Sequence, residues 1–155
     1  MLNYEDEVLR AFGESAPVHV VWFSSVRKLA EGFYLDGEEI FYAHDGNTEK
    51  VINVNDLNLL GRHNYENVMA ATAMSVNFGV PMEKIVEVLK RFQAVEHRIE
   101  YVTEKRGIRF YNDSKGTNPD AAIQGIRAMN RPTLLIGGGY DKQSTYDAVS
   151  YTHLT

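Results

Sequence analysis

The run from Ile108 to Ile136 constrains this chain more than any other stretch. An apolar strand candidate, Ile108–Asn112, leads through a polar loop into a helix that Asn118 can cap and Pro119 can open, and Pro132 then introduces a second apolar run at 133–136. Strand, loop, helix, strand is a βαβ unit. The two runs are therefore expected to pair in parallel through a right-handed crossover, which puts the chain in the α/β class. The helix is expected to reach Met129, although Gly125 costs it about 1 kcal/mol against alanine.

Ligands of open parallel sheets bind beyond the carboxyl ends of the strands. Two polar loops fall in that position, Asp113-Ser114-Lys115-Gly116-Thr117 and Gly137-Gly138-Gly139-Tyr140-Asp141-Lys142. Lysines, hydroxyls and the free N–H groups of a helix start suit a carboxylate or a phosphate, and glycine lets backbone come close to it. The plainer reading stands beside this one: Asp113 and Ser114 as turn residues and Lys115 as a solvated charge. The glycine run is not G-x-G-x-x-G, which argues against a dinucleotide site.

Upstream, residues 3–13 read as a short helix capped by Asn3, with Val8, Leu9 and Phe12 as its apolar stripe and Gly13 as its stop. Strand candidates follow at 18–23, at 32–35 and 39–42 across an Asp36-Gly37 turn, and at 50–54 after Asp45-Gly46. They are expected to form the antiparallel edge of a sheet, with an open edge at 18–23. Residues 64–78 then take a helical period through Tyr65, Val68, Met69, Thr72 and Val76, stopped by Gly79. A second helix starts at Pro81 and is expected to bury Ile85, Val88, Leu89 and Phe92. Asn64 and Asn67 lie one turn apart, where two amides could read the edge of a base, or Asn64 could simply cap. His97-Arg98 is either an exposed pair or a phosphate clamp.

Charge narrows the partners. Lys and Arg number 16 against 21 Asp and Glu, a net charge of −5, so there is no general basic field for nucleic acid or an anionic membrane. Cysteine is absent and the five histidines lack ligand spacing, which argues against disulfides, thiolate chemistry and a zinc site. The longest apolar runs fall far short of the roughly 18 residues of a membrane span.

Four of these segments occur in one order: Gly61-Arg62-His63-Asn64-Tyr65-Glu66-Asn67 with Ala70-Ala71, then His97-Arg98, then Asn112-Asp113-Ser114-Lys115-Gly116-Thr117-Asn118-Pro119, then Gly138-Gly139-Tyr140-Asp141-Lys142. From residue 1 to about Asp147 the chain resembles the Mur ligase family, and within it the members that add D-glutamate. The resemblance implies an α/β fold in which residues 1–95 form the end of a central ATP-binding domain. Residues 96–155 would be the start of a Rossmann-like C-terminal ligase domain, with a hinge at 93–97.

It also implies an ATP-dependent amide ligase of peptidoglycan precursor synthesis. ATP with Mg²⁺ would phosphorylate the carboxylate of UDP-N-acetylmuramoyl-L-alanine, and the amine of D-glutamate would attack the acyl phosphate. By motif, Asn64 and Asn67 would contact adenine, Arg98 the ATP phosphates and Asp113 the ribose, while Lys115, Thr117 and Lys142 would hold the incoming glutamate and the acyl phosphate. The partners implied are these small molecules, without nucleic acid or membrane, in a cytoplasmic ligase that is a monomer at full length.

Departures from the family matter as much. No G-x-x-x-x-G-K-[ST] phosphate loop occurs, and the uridine-nucleotide domain, the central-domain Mg²⁺ residues and the end of the C-terminal domain are not represented. After Asp147 the likeness stops. The chain therefore reads as an internal fragment, inactive alone. A non-catalytic nucleotide-binding module, and a related Mur or folylpolyglutamate ligase, stand as alternatives.

Overall fold

A computed structural model describes residues 1–140, 145 and 147–152. The chain divides into two compact units, Met1–Phe92 and Gln93–Thr155.

The first unit is built on a five-stranded sheet of β1 (Leu2–Asn3), β2 (Trp22–Ser24), β3 (Gly32–Asp36), β4 (Glu39–His44) and β5 (Asn47–Asn53), in that spatial order. The β3–β4–β5 meander is antiparallel as expected, but β1, β2 and β3 run parallel. The strand expected at 18–23 is shorter and later. Val18 is exposed, and pairing begins where the Leu2 amide donates to the Val21 carbonyl at 3.0 Å. Because β1 covers it, β2 is an inner strand and not the open edge the sequence suggested.

Local rules explain the meander. Asp45 (φ 51°) and Gly46 (φ 72°) make a two-residue loop with both angles positive, the turn whose twist matches paired strands. In β5 the register slips between Ile40↔Ile52 and Phe41↔Lys50, leaving Val51 as an extra residue. The bulge lets two adjacent residues, Val51 and Ile52, both be buried. They join Phe33, Ile40, Val54, Leu57, Val68, Met69 and Ala73 in the core.

Three α-helices complete this unit. In α1 (Glu7–Ser15) the cap is Asp6, whose side chain accepts from the Val8 and Leu9 amides at 2.9 Å. Asn3 is not the cap, because it belongs to β1 and its side chain accepts from the Glu5 amide instead. Gly13 does not end α1 either. It is buried against the Trp22 ring, where a Cβ would sit 2.3 Å from Cη2, and Val8 and Phe12 of the expected stripe are exposed. Helix α2 (Arg62–Asn77) buries Val68, Met69 and Thr72 as expected, and Gly79 (φ 79°) follows its end. Helix α3 (Met82–Arg91) is rotated from expectation: Met82, Ile85, Val86 and Leu89 face inward, while Val88 and Phe92 are exposed.

In the second unit β6 (Glu100–Lys105) and β7 (Ile108–Asn112) form an antiparallel hairpin, turned by Arg106 (φ 55°) and Gly107 (φ 78°). Helix α4 (Pro119–Arg127) starts as expected: the Asn118 side chain accepts from the Ala121 amide at 2.8 Å and Pro119 opens the first turn. A short α5 (Asp147–Thr152) packs on α4. The run 133–136 forms no strand, and Leu134 and Ile136 are exposed. Parallel strands need cover on both faces, and among the described residues β7 pairs only with β6. The expected βαβ pairing is therefore not formed.

Candidate functional site

Asn64 and Asn67 lie in the first unit on the opening turns of α2, three residues apart and so on neighbouring parts of one face. Asn64 does not cap the helix. Gly61 (φ 94°) occupies the cap position, and the Asn64 Nδ2 donates to the Leu60 carbonyl at 2.7 Å. Asn67 is exposed. Between them Glu66 accepts a hydrogen bond from the buried Ser25 hydroxyl, which ties α2 to the carboxyl end of β2. Burial pushes the neighbouring Tyr65 phenol above its ordinary pKa.

In the second unit four of the expected residues come together. The 112–117 loop is shaped by its own polar groups: Asn112 Oδ1 accepts from the Ser114 amide at 3.1 Å, the Asp113 carbonyl from the Gly116 amide at 2.8 Å, and the Lys115 carbonyl from the Thr117 amide at 2.9 Å. Segment 97–99 is fastened to this loop on both sides of Arg98. The Lys115 amide donates to the His97 carbonyl at 3.0 Å, and the Ile99 amide donates to Asp113 Oδ1 at 3.1 Å. The backbones of Arg98, Asp113, Lys115 and Thr117 thus form one cluster, with the Arg98, Lys115 and Thr117 side chains exposed and Asp113 half-buried.

The bend that presents Arg98 is strained. His97 (φ 67°) and Ile99 (φ 47°) both take the left-handed conformation, which costs about 1–3 kcal/mol at a non-glycine residue and is least tolerated by a β-branched one. What holds it is the pair of bonds to the loop, the burial of Ile99 at 6% exposure, and His97 itself. The His97 amide donates to Glu100 Oε2 at 2.8 Å, and its ring Nδ1 lies 2.9 Å from Asn112 Nδ2.

Among the described residues, 137–140 of the second expected loop do not join this cluster. Gly137, Gly138 and Gly139 are exposed, with nothing within 4 Å of where a Cβ would stand. Lys142 lies outside the described residues. Among the described residues no group of three His, Asp or Glu side chains is placed to hold a metal ion, and no helix is long and apolar enough to cross a membrane. Pattern reading singled out the His97-Arg98 pair but not the bond from the His97 ring to Asn112, and it missed the Ser25–Glu66 pair. A histidine next to the charged Arg98 was visible, but its ring bond to Asn112, fifteen residues away, is a product of the fold.

Over 147 residues, 95% of its length, the chain is 56% identical to the UDP-N-acetylmuramoylalanine–D-glutamate ligase of Lachnospira eligens and 55% identical to that of Lachnoclostridium phytofermentans. The chain is a Mur ligase homologue. The ligase of the same name from a Thermoanaerobacter species is 44% identical over the same length. The homologue spans about a third of these curated relatives, 33%, 32% and 32% of their lengths. No family model matches it. Its fold also resembles a crystal structure of MurF from Acinetobacter baumannii, with a TM-score of 0.55 and 23% identity over 83% of this chain and 29% of that one.

Proposed function

We propose that this chain supplies part of the nucleotide and amino-acid sites of a cytoplasmic, ATP-dependent ligase that joins D-glutamate to UDP-N-acetylmuramoyl-L-alanine through an acyl phosphate, in peptidoglycan precursor synthesis. The observation that carries the reading is 56% identity, over 95% of the chain, to a ligase of that name. In this reading residues 1–95 close a central ATP-binding domain and residues 96–155 open a C-terminal ligase domain. Asn64 and Asn67 face adenine, Arg98 the phosphates and Asp113 the ribose, while Lys115, Thr117 and Lys142 hold glutamate and the acyl phosphate. The cluster suits this chemistry: exposed Arg98 and Lys115 can balance charge that moves from a phosphoryl group to a tetrahedral oxyanion. ATP brings Mg²⁺ with it, and we assign none of this chain's residues as its ligands.

The test is a chimera in which residues 1–147 replace the matching third of the Lachnospira eligens ligase. ADP release that depends on both D-glutamate and UDP-N-acetylmuramoyl-L-alanine is expected, falling by about 100-fold or more in Lys115→Ala, as for loss of one group stabilising developing charge. A folded chimera whose turnover Lys115→Ala leaves unchanged would remove Lys115 from the site.

A further inference from the structure

We propose that His97 is a positioning residue, whose ring nitrogen seats Arg98 against the 112–117 loop. Three of its groups are engaged. The backbone N–H donates to Glu100, the carbonyl accepts from Lys115, and the ring Nδ1 accepts from the Asn112 side-chain amide. The same Asn112 side chain holds the Ser114 amide through its oxygen. The imidazole is therefore linked through one amide group to the turn that opens the loop, while the next residue along the chain carries the guanidinium. Arg98 itself sits between two left-handed residues and cannot keep that place by local preference.

The geometry demands an unprotonated Nδ1. Asn112 Nδ2 is a donor, so Nδ1 must offer a lone pair, which leaves the ring proton on Nε2. Protonation would turn Nδ1 into a second donor facing a donor. It would also strengthen the pull of the two carboxylates beside the ring, Glu100 Oε2 at 3.5 Å from Nδ1 and Glu96 Oε1 at 3.9 Å from Nε2. Among the described residues no other carboxylate forms an ion pair with this ring. The seat is made through the Nδ1 lone pair that faces Asn112 Nδ2.

Two substitutions separate acceptor from backbone. Both glycine and asparagine tolerate positive φ, but only Asn places an acceptor, its Oδ1, where Nδ1 stands. In the 155-residue chain, with ATP as the probe in calorimetry, His97→Gly is expected to weaken binding about 5-fold. It should also speed hydrogen exchange of the Lys115 amide while the α4 amides stay protected. His97→Asn is expected to restore both.

The role of Arg98 toward phosphate rests on the proposed function, which the chimera tests, whereas the Lys115 amide judges the seat independently of whether this chain binds ATP. A glycine variant with wild-type exchange at Lys115, or an asparagine variant that behaves like glycine, overturns the inference. Where glycine unfolds the second unit, exchange at the Lys115 amide in the asparagine variant decides alone.

Discussion

Phe33→Ala is the perturbation that most directly tests how the first unit is held. Phe33 is fully buried on β3 and stacks on Tyr42 with ring centroids 4.2 Å apart and planes 6° from parallel. Its neighbours come from β4, β5 and α2, so no single segment can collapse into the space it leaves. Truncation of a buried Phe costs about 3–5 kcal/mol, against about 5–15 kcal/mol for a whole domain. With a urea m-value of about 1.5 kcal/mol/M for a unit of this size, the midpoint should fall by about 2–3 M. Trp22 is the chain's only tryptophan and lies in the first unit, so its fluorescence follows this transition alone. Helix α4, monitored by amide exchange, should be indifferent. A midpoint shift under 1 M would refute the packing argument.

Other outcomes follow from single contacts. Gly32→Ala should destabilise the first unit by about 1–3 kcal/mol from its backbone conformation alone, since φ is +113° and a Cβ would stand 2.3 Å from the Trp22 carbonyl oxygen; Trp22 fluorescence in urea measures it. Asn118→Ala should cost the second unit about 1 kcal/mol, seen as faster exchange at the Ala121 amide with the Trp22 transition unmoved. Burial raises the Glu5 pKa, but hydrogen bonds from Arg27 and Ser24 outweigh it and hold the carboxyl below its ordinary 4.5. A depressed folded-state value means that this contribution is complete above about pH 4.5 and is lost as pH falls through the folded value. Arg27→Met should therefore narrow the stability difference between neutral and acid solution, a small effect because Arg27 is half-exposed.

What could be read from the residues was the chemistry that acts over four or five positions. Asn118-Pro119 starts α4 because a side-chain acceptor and a fixed φ are local facts, and Asp45-Gly46 turns the β4–β5 hairpin for the same reason. Choices between equivalent local solutions were not legible. Asn3 and Asp6 are both fit caps, and the pairing of Leu2 with Trp22 decided for Asp6 by taking Asn3 into a strand. In α3 the stripes 82/85/86/89 and 85/88/89/92 both satisfy a helical period, and the packing partner selects the first. The run 133–136 has strand composition but no described pairing partner, so its propensity is not expressed.

The string Asn112-Asp113-Ser114-Lys115-Gly116-Thr117-Asn118 admitted two readings, turn chemistry and ligand chemistry, and the structure shows that the first is no bar to the second. Asn112 is spent on the Ser114 amide and the His97 ring, Asp113 on the Ile99 amide, and Asn118 on the start of α4. These side chains satisfy backbone groups that would otherwise be left without partners in an irregular loop. The Lys115 and Thr117 side chains stay exposed, on a backbone fixed at 115 by the His97 carbonyl. An exposed lysine on a free loop would lose most of its effect on a bound anion to its own motion. On a loop pinned at this point, less of that ordering remains to be done when an anion arrives. In the proposed site, the three side chains that build the loop would be as necessary to anion binding as the two that would touch the anion, and substituting any of them should weaken binding without removing a charge from the ligand's surroundings, except at Asp113.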